Sequence, residues 1–215
     1  MTSELIQYRD VGVSFNGSCL FSDFNLTINK GDKILLKGKS GTGKSTLLKI
    51  LLGIVRTGEG DVFFRDRNVC SQTVWDVRKE IAYVSQDTDI GEGIVKDLVN
   101  EIFHYHNNHG MKYHNKRNSL LEYFELDRSL LYNRFEDLSG GEKQRICLII
   151  SILLGKEIFL LDEVTSALDP ELKDKVVDYF LQNEKWTLFV VSHDDVWERD
   201  GTSSIYVDGS GSCGR

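Results

Sequence analysis

A glycine-rich run, GKSGTGKST at Gly38–Thr46, follows directly on the short apolar segment KILLK at Lys33–Lys37. Behind it, Ser45–Leu52 has the composition of a helix. Strand, glycine loop and helix in this order form the phosphate-binding unit of α/β proteins, and the run fits the pattern G-x-x-x-x-G-K-[ST] in full. A glycine-rich turn with an incidental lysine is the alternative, but such a turn does not require this flanking strand and helix. The sequence therefore predicts an α/β fold that binds phosphate groups.

The residue types of this loop each suit phosphate chemistry. Glycines let the backbone curl so that successive N–H groups point at the phosphates, and the following helix directs the positive end of its dipole there. Lys44 carries a compact positive charge to the β- and γ-phosphate oxygens, and Ser45 offers a hydroxyl to Mg²⁺. We therefore expect ATP and Mg²⁺ as cofactors, with the nucleotide held by Gly38, Lys39, Ser40, Gly41, Thr42, Gly43, Lys44, Ser45 and Thr46.

The other apolar segments are of two kinds. Alternating patterns at Leu5–Phe15 and Leu20–Asn29 favour antiparallel strands, and Asp61–Phe64 favours another. Short continuous apolar runs are typical of strands buried on both faces of a parallel sheet. Three such runs follow the loop: Ile81–Ser85, Ile158–Asp162 and Thr187–Ser192. The sequence predicts an α/β nucleotide-binding core with a mostly parallel central sheet and an antiparallel β subdomain.

The segment between Gln86 and Leu138 has a different character. It is rich in His, Asn, Tyr and Lys, and its apolar residues have helical spacing. We interpret residues 88–150 as an inserted α-helical subdomain within a single domain that spans residues 1–208. Residues 1–87 and 151–208 then form the nucleotide-binding core, and the Gly/Ser-rich residues 209–215 form a flexible tail.

Two carboxylates end one of the buried strands, where Ile158–Glu163 reads IFLLDE. Acidic residues at the carboxyl end of a parallel strand lie in the crevice where ligands bind. Asp162 can hold Mg²⁺ through its water shell, and Glu163 can orient and deprotonate an attacking water. The alternative is a carboxylate pair that merely offsets the dipole of a following helix. The phosphate loop in the same chain favours the catalytic interpretation.

A second phosphate-binding surface is predicted at LSGGEKQR, Leu138–Arg145. A serine and two glycines open a strongly patterned helix here, and a hydroxyl with bare N–H groups at a helix N-terminus binds anions. The alternative is an ordinary capped helix. One nucleotide does not need two phosphate-binding surfaces, here called cradles, in one chain. The redundancy favours ATP held between two subunits, each giving one cradle to the other's nucleotide.

These motifs resemble those of the ATP-binding cassette (ABC) ATPases over nearly the whole chain. GKSGTGKST is similar to the Walker A motif of that family and IFLLDE to its Walker B motif. LSGGE is similar to the signature sequence, with Glu142 where Gln is commoner. The resemblance implies that the partner's ATP is contacted by Ser139, Gly140, Gly141 and Glu142.

Further site residues follow from the resemblance. Gln86, after the strand IAYVS, is similar to the Q-loop glutamine that touches Mg²⁺ and senses the transport partner, and the resemblance implies that it also belongs to the ATP-binding residues. His193, in VVSHD, matches the switch histidine that contacts the γ-phosphate. The catalytic residues implied are Glu163, His193 and Lys44, the metal ligands are Ser45, Gln86 and Asp162, and the D-loop consists of Ser166, Ala167, Leu168 and Asp169.

The resemblance also implies an aromatic side chain that stacks on adenine. Phe15, 23 residues before Gly38, occupies the place where Tyr is more usual in the family, and Tyr8 is a second candidate. Phenylalanine keeps the π face, so stacking should be retained.

Net charge, cysteine content and apolar stretches indicate which partners and which cellular compartment to expect. The net charge of −7 argues against a nucleic-acid partner, which usually requires a basic face. The four cysteines show no paired spacing and predict neither a disulfide framework nor a zinc site, which favours a reducing compartment. The N-terminus lacks a signal-peptide pattern, and the longest apolar stretch, Ile146–Leu154, falls short of the roughly 20 residues of a membrane span. We expect a cytoplasmic protein, peripheral on the inner face of the cell membrane through its partner.

The remaining histidines crowd into HYHNNHGMKYH, at His104, His106, His109 and His114. Clustered imidazoles can chelate a metal. The alternative is an exposed polar helix–loop segment, which is favoured because no carboxylate or cysteine joins the cluster at metal-site spacing.

The resemblance implies the ATP-hydrolysing subunit of an ABC transporter, which dimerises around two ATP·Mg²⁺ and drives a separate transmembrane permease. The motifs are most similar to those of small bacterial export-type cassettes, including the iron-export type. A second hypothesis is a non-transport ABC ATPase that regulates a membrane-anchored partner in division or lipoprotein handling. A third, a DNA-repair cassette, requires a long coiled-coil insertion, and only about fifty residues without sustained heptads separate Gln86 from Leu138.

Overall fold

The computed structural model describes residues 4–15, 18–105 and 113–207. In chain order, its strands are β1 (Glu4–Phe15), β2 (Ser18–Asn29), β3 (Lys33–Lys37), β4 (Glu59–Phe64), β5 (Arg67–Asn68), β6 (Ile81–Val84), β7 (Ile158–Asp162), β8 (Thr187–Val191) and β9 (Thr202–Tyr206). Its α-helices are α1 (Lys44–Leu51), α2 (Val74–Glu80), α3 (Val95–His104), α4 (His114–Tyr123), α5 (Gly140–Leu153) and α6 (Pro170–Leu181).

A parallel sheet of five strands, in the order β6-β7-β8-β3-β9, carries the predicted sites. Every neighbouring pair in it is parallel. The glycine-rich loop follows β3, His193 follows β8 and Asp162 ends β7, so all three lie at the carboxyl edge of the sheet. The order of the strands therefore brings together motifs that lie far apart in the sequence.

The antiparallel sheet has the order β2-β1-β4-β5. β1 pairs with both β2 and β4, so the three predicted alternating segments form one sheet. The predicted α/β class, with a mostly parallel central sheet and an antiparallel sheet beside it, is confirmed.

The side chains of the parallel sheet alternate between two hydrophobic cores. Leu35 and Phe159 belong to one core, which also contains the buried residues of α3 to α6. Leu36 and Leu160 belong to the other, which is formed with α1 and the antiparallel sheet. Successive side chains of a strand point to opposite faces, so strands covered on both faces are continuously apolar. This explains the short apolar runs in the sequence.

Helices occupy the segment that was interpreted as an inserted subdomain. α3, α4 and most of α5 lie between residues 88 and 150, with short 3₁₀ helices at Arg128–Tyr132 and Phe135–Asp137. Their buried side chains share one core with β6 and β7, so the boundaries at 88 and 150 stay a prediction. Across residues 4–15, 18–105 and 113–207, no helix is long and apolar enough to cross a membrane.

The cysteines differ from the expectation drawn from their spacing. Cys19 is disulfide-bonded, whereas Cys70 and Cys147 are free thiols. The expectation of unpaired cysteines is therefore wrong for Cys19. Pairing requires the two Cβ atoms to approach within about 4 Å in the folded chain, a distance that spacing along the sequence does not report. Cys147 is buried in the core, as its apolar surroundings predicted.

Candidate functional site

The glycine-rich loop has two positions that only glycine can occupy without strain. Gly38 has φ +145°, and a Cβ there would lie 2.1 Å from the Val207 carbonyl oxygen. Gly43 directly precedes α1 with φ +94°, and a Cβ there would lie 2.5 Å from Leu20 Cδ2. Because side chains are excluded at both positions, the loop turns tightly from β3 into α1, and the N-terminus of that helix is suited to binding an anion.

Lys44 is the buried cation of the loop, only 5% exposed. Its Nζ donates hydrogen bonds to the carbonyl oxygens of Gly38 at 2.9 Å and Lys39 at 2.8 Å. Burial lowers the pKa of this ammonium from its ordinary value, while the carboxylates of Glu163 and Asp162 act in the opposite direction. The side chain therefore lies back along the loop, where a bound phosphate chain would pass.

Ser45 and Asp162 form the predicted metal-binding pair. Ser45 Oγ donates to Asp162 Oδ1 at 2.7 Å, and Tyr83 OH lies 3.4 Å from Asp162 Oδ2. Asp162 is 2% exposed, and burial raises the pKa of its carboxyl. A hydroxyl beside a buried carboxylate is the hard oxygen donor set that suits Mg²⁺. The residues present therefore fit this ion.

Glu163 and His193 face each other across the end of β7 and β8. His193 Nε2 lies 3.5 Å from Glu163 Oε1 and 3.5 Å from Lys44 Nζ. Glu163 has φ +52°, which is uncommon outside glycine, and its N–H donates to the Val191 carbonyl oxygen at 2.9 Å. This conformation follows directly after Asp162, so the two adjacent carboxylates serve different parts of the site. Burial raises the pKa of the Glu163 carboxyl, which favours a proton acceptor over a permanently solvated anion.

One cavity of about 550 Å³ joins these groups. Of the residues predicted to bind the nucleotide, it is lined by Ser40, Gly41, Gly43, Lys44, Ser45, Thr46 and Gln86. Glu163 and His193 close one side of it. Gly38, Lys39 and Thr42 support the loop instead, with Thr42 Oγ1 donating to the Lys39 carbonyl oxygen at 2.9 Å. The D-loop residue Ser166 also lines the cavity, together with four residues to which the motifs gave no role: Leu20, Lys173, Val191 and Asp194.

The predicted adenine-stacking residues have different outcomes. Phe15 ends β1, and its side chain lies outside the described residues. Tyr8 is 2% exposed, donates its OH to the Leu47 carbonyl oxygen at 2.9 Å and packs edge-on against Phe24. A ring enclosed in the core has no free face for a base. The interpretation of Tyr8 as an adenine-stacking residue is therefore wrong.

The LSGGE segment forms a capping box at the start of α5. Ser139 Oγ and the Ser139 N–H both donate to Glu142 Oε2, at 2.7 and 2.8 Å, and the Glu142 N–H points back to Ser139 Oγ at 3.3 Å. These hydrogen bonds lower the pKa of Glu142. Ser139, Gly140, Gly141 and Glu142 do not line the cavity around Lys44. The predicted second phosphate-binding surface thus lies apart from the glycine-rich loop within one chain.

Gln144 connects this helix to the backbone after β7, a contact that the sequence did not indicate. Its Nε2 donates to the Glu163 carbonyl oxygen at 3.0 Å, and its Oε1 accepts from the Ala167 N–H at 3.2 Å. Gln144 is 2% exposed, and a polar residue buried this deeply requires such partners. A glutamine on an otherwise apolar helix face was the signal in the sequence that could have indicated this contact.

The D-loop residues lead from β7 into α6. Ser166 Oγ donates to the Glu163 carbonyl oxygen at 2.8 Å. Asp169 caps α6 by accepting from the Leu172 N–H at 3.0 Å, and Pro170 occupies the first turn. Ala167 and Leu168 complete the connection. The D-loop is therefore held against the backbone of the proposed catalytic base.

The histidine-rich segment has only two members among the described residues. His104 Nδ1 lies 2.6 Å from the Asn100 carbonyl oxygen, and His114 begins α4. His106 and His109 lie outside the described residues. Within the described part of the chain, no group of three or more His, Cys, Asp or Glu side chains could hold a metal ion.

Comparison with known proteins gives one consistent result. The family model for ABC transporters matches residues 21–166. The chain is 31% identical over 195 residues to the probable iron export ATP-binding protein FetA of Escherichia coli, covering 89% of this chain and 86% of that protein. It is 31% identical over 198 residues to the ergothioneine transport ATP-binding protein EgtV of Helicobacter pylori, covering 89% and 91%. A dimeric structure of MJ0796, a bacterial ABC transporter cassette, superposes with a TM-score of 0.84 at 24% identity over 96% of each chain.

Proposed function

The chain belongs to the ABC transporter family as an ATP-binding, ATP-hydrolysing subunit, and on this basis we propose that it works as a dimer that closes around two ATP molecules with Mg²⁺. The observation that carries the proposal is the separation of the two phosphate cradles. Lys44, Glu163 and His193 meet at one cavity, while the capped start of α5 lies outside it. When two chains pair head to tail, Ser139 of each chain completes the ATP site of the other.

The chemistry divides among the residues of the cavity. The loop N–H groups and Lys44 bind the phosphate chain, and Glu163 orients the attacking water and takes its proton. His193 stabilises the charge on the γ-phosphate oxygens. Ser45, Asp162 and Gln86 would hold Mg²⁺, which when bound neutralises charge on the β- and γ-phosphates. Phe15 stacks on the adenine.

The signature segment acts on the partner's nucleotide. The N–H groups of Gly140 and Gly141 and the hydroxyl of Ser139 are the donors at the start of α5. An added Cβ at Gly141 would lie 2.9 Å from the Ala167 carbonyl oxygen, so glycine keeps this helix end close to the D-loop. The D-loop then lies beside the interface and links occupancy of one site to the other.

The permease docks beside Gln86. A groove of about 130 Å³ lies between the end of β6 and α5. Its rim includes Asp87, Thr88 and Asp89, and its floor includes Cys147 and Ile150. Because Gln86 reaches the nucleotide cavity and is adjacent to this rim, an ATP-driven movement there is passed to whatever occupies the groove. Thr88, Asp89, Cys147 and Ile150 belong to the proposed helical subdomain, residues 88–150. The subunit lies on the inner face of the cell membrane through this contact.

The partner can be tested by affinity purification. Tagged Glu163→Gln protein with ATP is purified from detergent-solubilised membranes of the native host, and stoichiometric partners are identified by mass spectrometry. We expect a protein with several transmembrane helices. A single-pass membrane protein, a soluble protein or DNA would contradict the transporter role and favour the regulatory or repair alternatives.

A charge reversal tests the docking surface. Asp87 is exposed on the groove rim, so Asp87→Arg should abolish recovery of the membrane partner while ATP binding is retained. Asp200→Arg is the matched control, since Asp200 is exposed at the opposite edge of the parallel sheet, before β9. Equal recovery with both variants would place the docking surface elsewhere.

A further inference from the structure

The switch residue His193 has weak contacts of its own. Its side chain is 53% exposed, and its ring nitrogen lies 3.5 Å from both the Glu163 carboxylate and the Lys44 ammonium. These distances exceed those of a well-formed hydrogen bond. The place of the imidazole in the cavity is therefore set by the backbone that carries it.

Asp194, the next residue, is anchored at three atoms. Its Oδ1 accepts from Lys173 Nζ at 2.6 Å and its Oδ2 accepts from Thr165 Oγ1 at 2.7 Å. Its N–H donates to Ser192 Oγ at 3.0 Å. Hydrogen bonds to ionised partners are the strong ones, so this carboxylate resists rotation. The peptide that joins it to His193 is held with it.

The anchoring groups come from a different part of the chain. Thr165 is fully buried just before the D-loop, and Trp197 Nε1 lies 3.4 Å from its Oγ1. Lys173 lies in α6, and its side chain is 22% exposed where it pairs with Asp194. Lys173 and Asp194 both line the nucleotide cavity beside His193. The ion pair therefore joins α6 and the D-loop region to the end of β8 at the point where the γ-phosphate would lie.

We infer that Lys173 and Asp194 are positioning residues that hold His193 in its catalytic place. The inference rests on the proposed role of His193 and adds two residues that none of the recognised motifs assigns. It also gives the D-loop a path to the switch histidine, through Thr165 and Asp194. The competing role for Lys173 is direct binding of a phosphate, because an ammonium on the cavity wall can serve that purpose. The two roles have different kinetic signatures.

The test compares Lys173→Met and Asp194→Asn with His193→Ala and with both double variants, all in the full chain. Lys173→Met should lower kcat roughly tenfold or more, because small displacements of a catalytic group cost that much. ATP affinity, measured by equilibrium titration, should change by less than about twofold. In the His193→Ala background, neither substitution should lower kcat further by more than about twofold, since groups that act through one residue are not additive. Lys173→Arg should restore most of kcat by keeping the ion pair.

Asp178→Asn is the matched control. Asp178 pairs with Arg199, so this variant also removes an ion pair between α6 and the segment after β8, but away from His193. Its melting temperature should fall about as much as that of Lys173→Met, with kcat unchanged. Thr165→Val removes the other anchor of Asp194 and should lower kcat without changing ATP affinity.

The outcomes separate the inference from the proposed function. If His193→Ala keeps wild-type kcat, the proposed role of His193 is wrong. If His193→Ala is impaired but Lys173→Met is not, the positioning inference alone is wrong. It is also overturned if Lys173→Met weakens ATP binding as much as turnover, or if its effect multiplies with that of His193→Ala.

Discussion

Replacing Glu142 by Gln should strengthen the ATP-dependent dimer. In the capping box, one carboxylate oxygen accepts both the Ser139 hydroxyl and the Ser139 N–H. That hydroxyl is the donor that we assign to the partner's phosphate. Glu142 therefore accepts a hydrogen bond from the hydroxyl proton of Ser139 and places a negative charge beside the approaching phosphate of the partner's ATP. A glutamine amide oxygen can accept the same hydrogen bonds, so the helix cap is kept while the charge is removed.

The size of the effect follows from the distances. Glu142 Oε2 lies 2.7 Å from Ser139 Oγ. A phosphate oxygen bound by that hydroxyl at about 2.8 Å would lie up to about 5 Å from the carboxylate. Two like charges about 5 Å apart repel by about 0.8 kcal/mol in bulk water and by about 3 kcal/mol at an effective dielectric constant of about 20. Since the dimer has two such sites, even the water-like value corresponds to a roughly tenfold lower dimer dissociation constant.

The assay is sedimentation equilibrium with saturating ATP, in a Glu163→Gln background where hydrolysis does not dissolve the dimer. Glu142→Gln should tighten the dimer, and the gap from the parent should narrow as salt is raised, because salt screens exposed charges. Glu122→Gln, an exposed change of the same charge on α4, is the control and should have no effect. Equal or weaker dimerisation of Glu142→Gln relative to Glu122→Gln would refute the electrostatic reasoning.

Three further changes probe separate parts of the account. Lys44→Ala removes the cation of the phosphate loop and should raise the ATP dissociation constant by roughly tenfold or more in calorimetric titration, since charge-assisted bonds are lost; unchanged affinity would contradict the assignment of the loop. Tyr8→Phe leaves the Leu47 carbonyl without its buried partner and should lower the free energy of unfolding in urea by about 1–2 kcal/mol, with ATP affinity unchanged; a large loss of ATP affinity would restore Tyr8 as a base-binding residue. Burial lowers the pKa of Lys33 to about 8, so between pH 8 and its ordinary value the unfolded chain binds more protons and the free energy of unfolding should rise with pH. The wild type should gain about 1.5 kcal/mol over Lys33→Met between pH 8 and about 9.5 in urea unfolding; the same pH dependence in both proteins would show that Lys33 titrates normally.

Local patterns predicted the elements that build the site. The segments around Gly38–Thr46 form a strand, a loop and a helix because apolar runs, glycines and helix formers act over short distances in the chain. The continuous apolar runs predicted buried parallel strands because both faces of the sheet are covered by hydrophobic cores. The motif residues Lys44, Glu163 and His193 meet because their strands end at one edge.

The features that the sequence did not reveal depend on contacts between distant segments. Lys173 reaches the cavity only because α6 packs beside the end of β8, and nothing in its neighbourhood in the sequence marks it. The family resemblance made Tyr8 a candidate for stacking on adenine, and alternation along β1 could not exclude it because it does not say which face meets the core. Cys19 is likewise paired through the folded chain and not through sequence spacing. Long-range packing decided these outcomes.

The central claim is that ATP joins two copies of this chain and that Glu163 then ends that state by hydrolysis. The most direct measurement is the mass of purified Glu163→Gln protein by light scattering after gel filtration, with and without ATP·Mg²⁺. Adding Ser139→Arg to this protein gives the control, because a bulky cation at the start of α5 blocks the partner's phosphate. We expect a monomer without nucleotide, a dimer with ATP and a monomer again when Ser139 is replaced. A protein that binds ATP yet stays monomeric at every concentration would contradict the account.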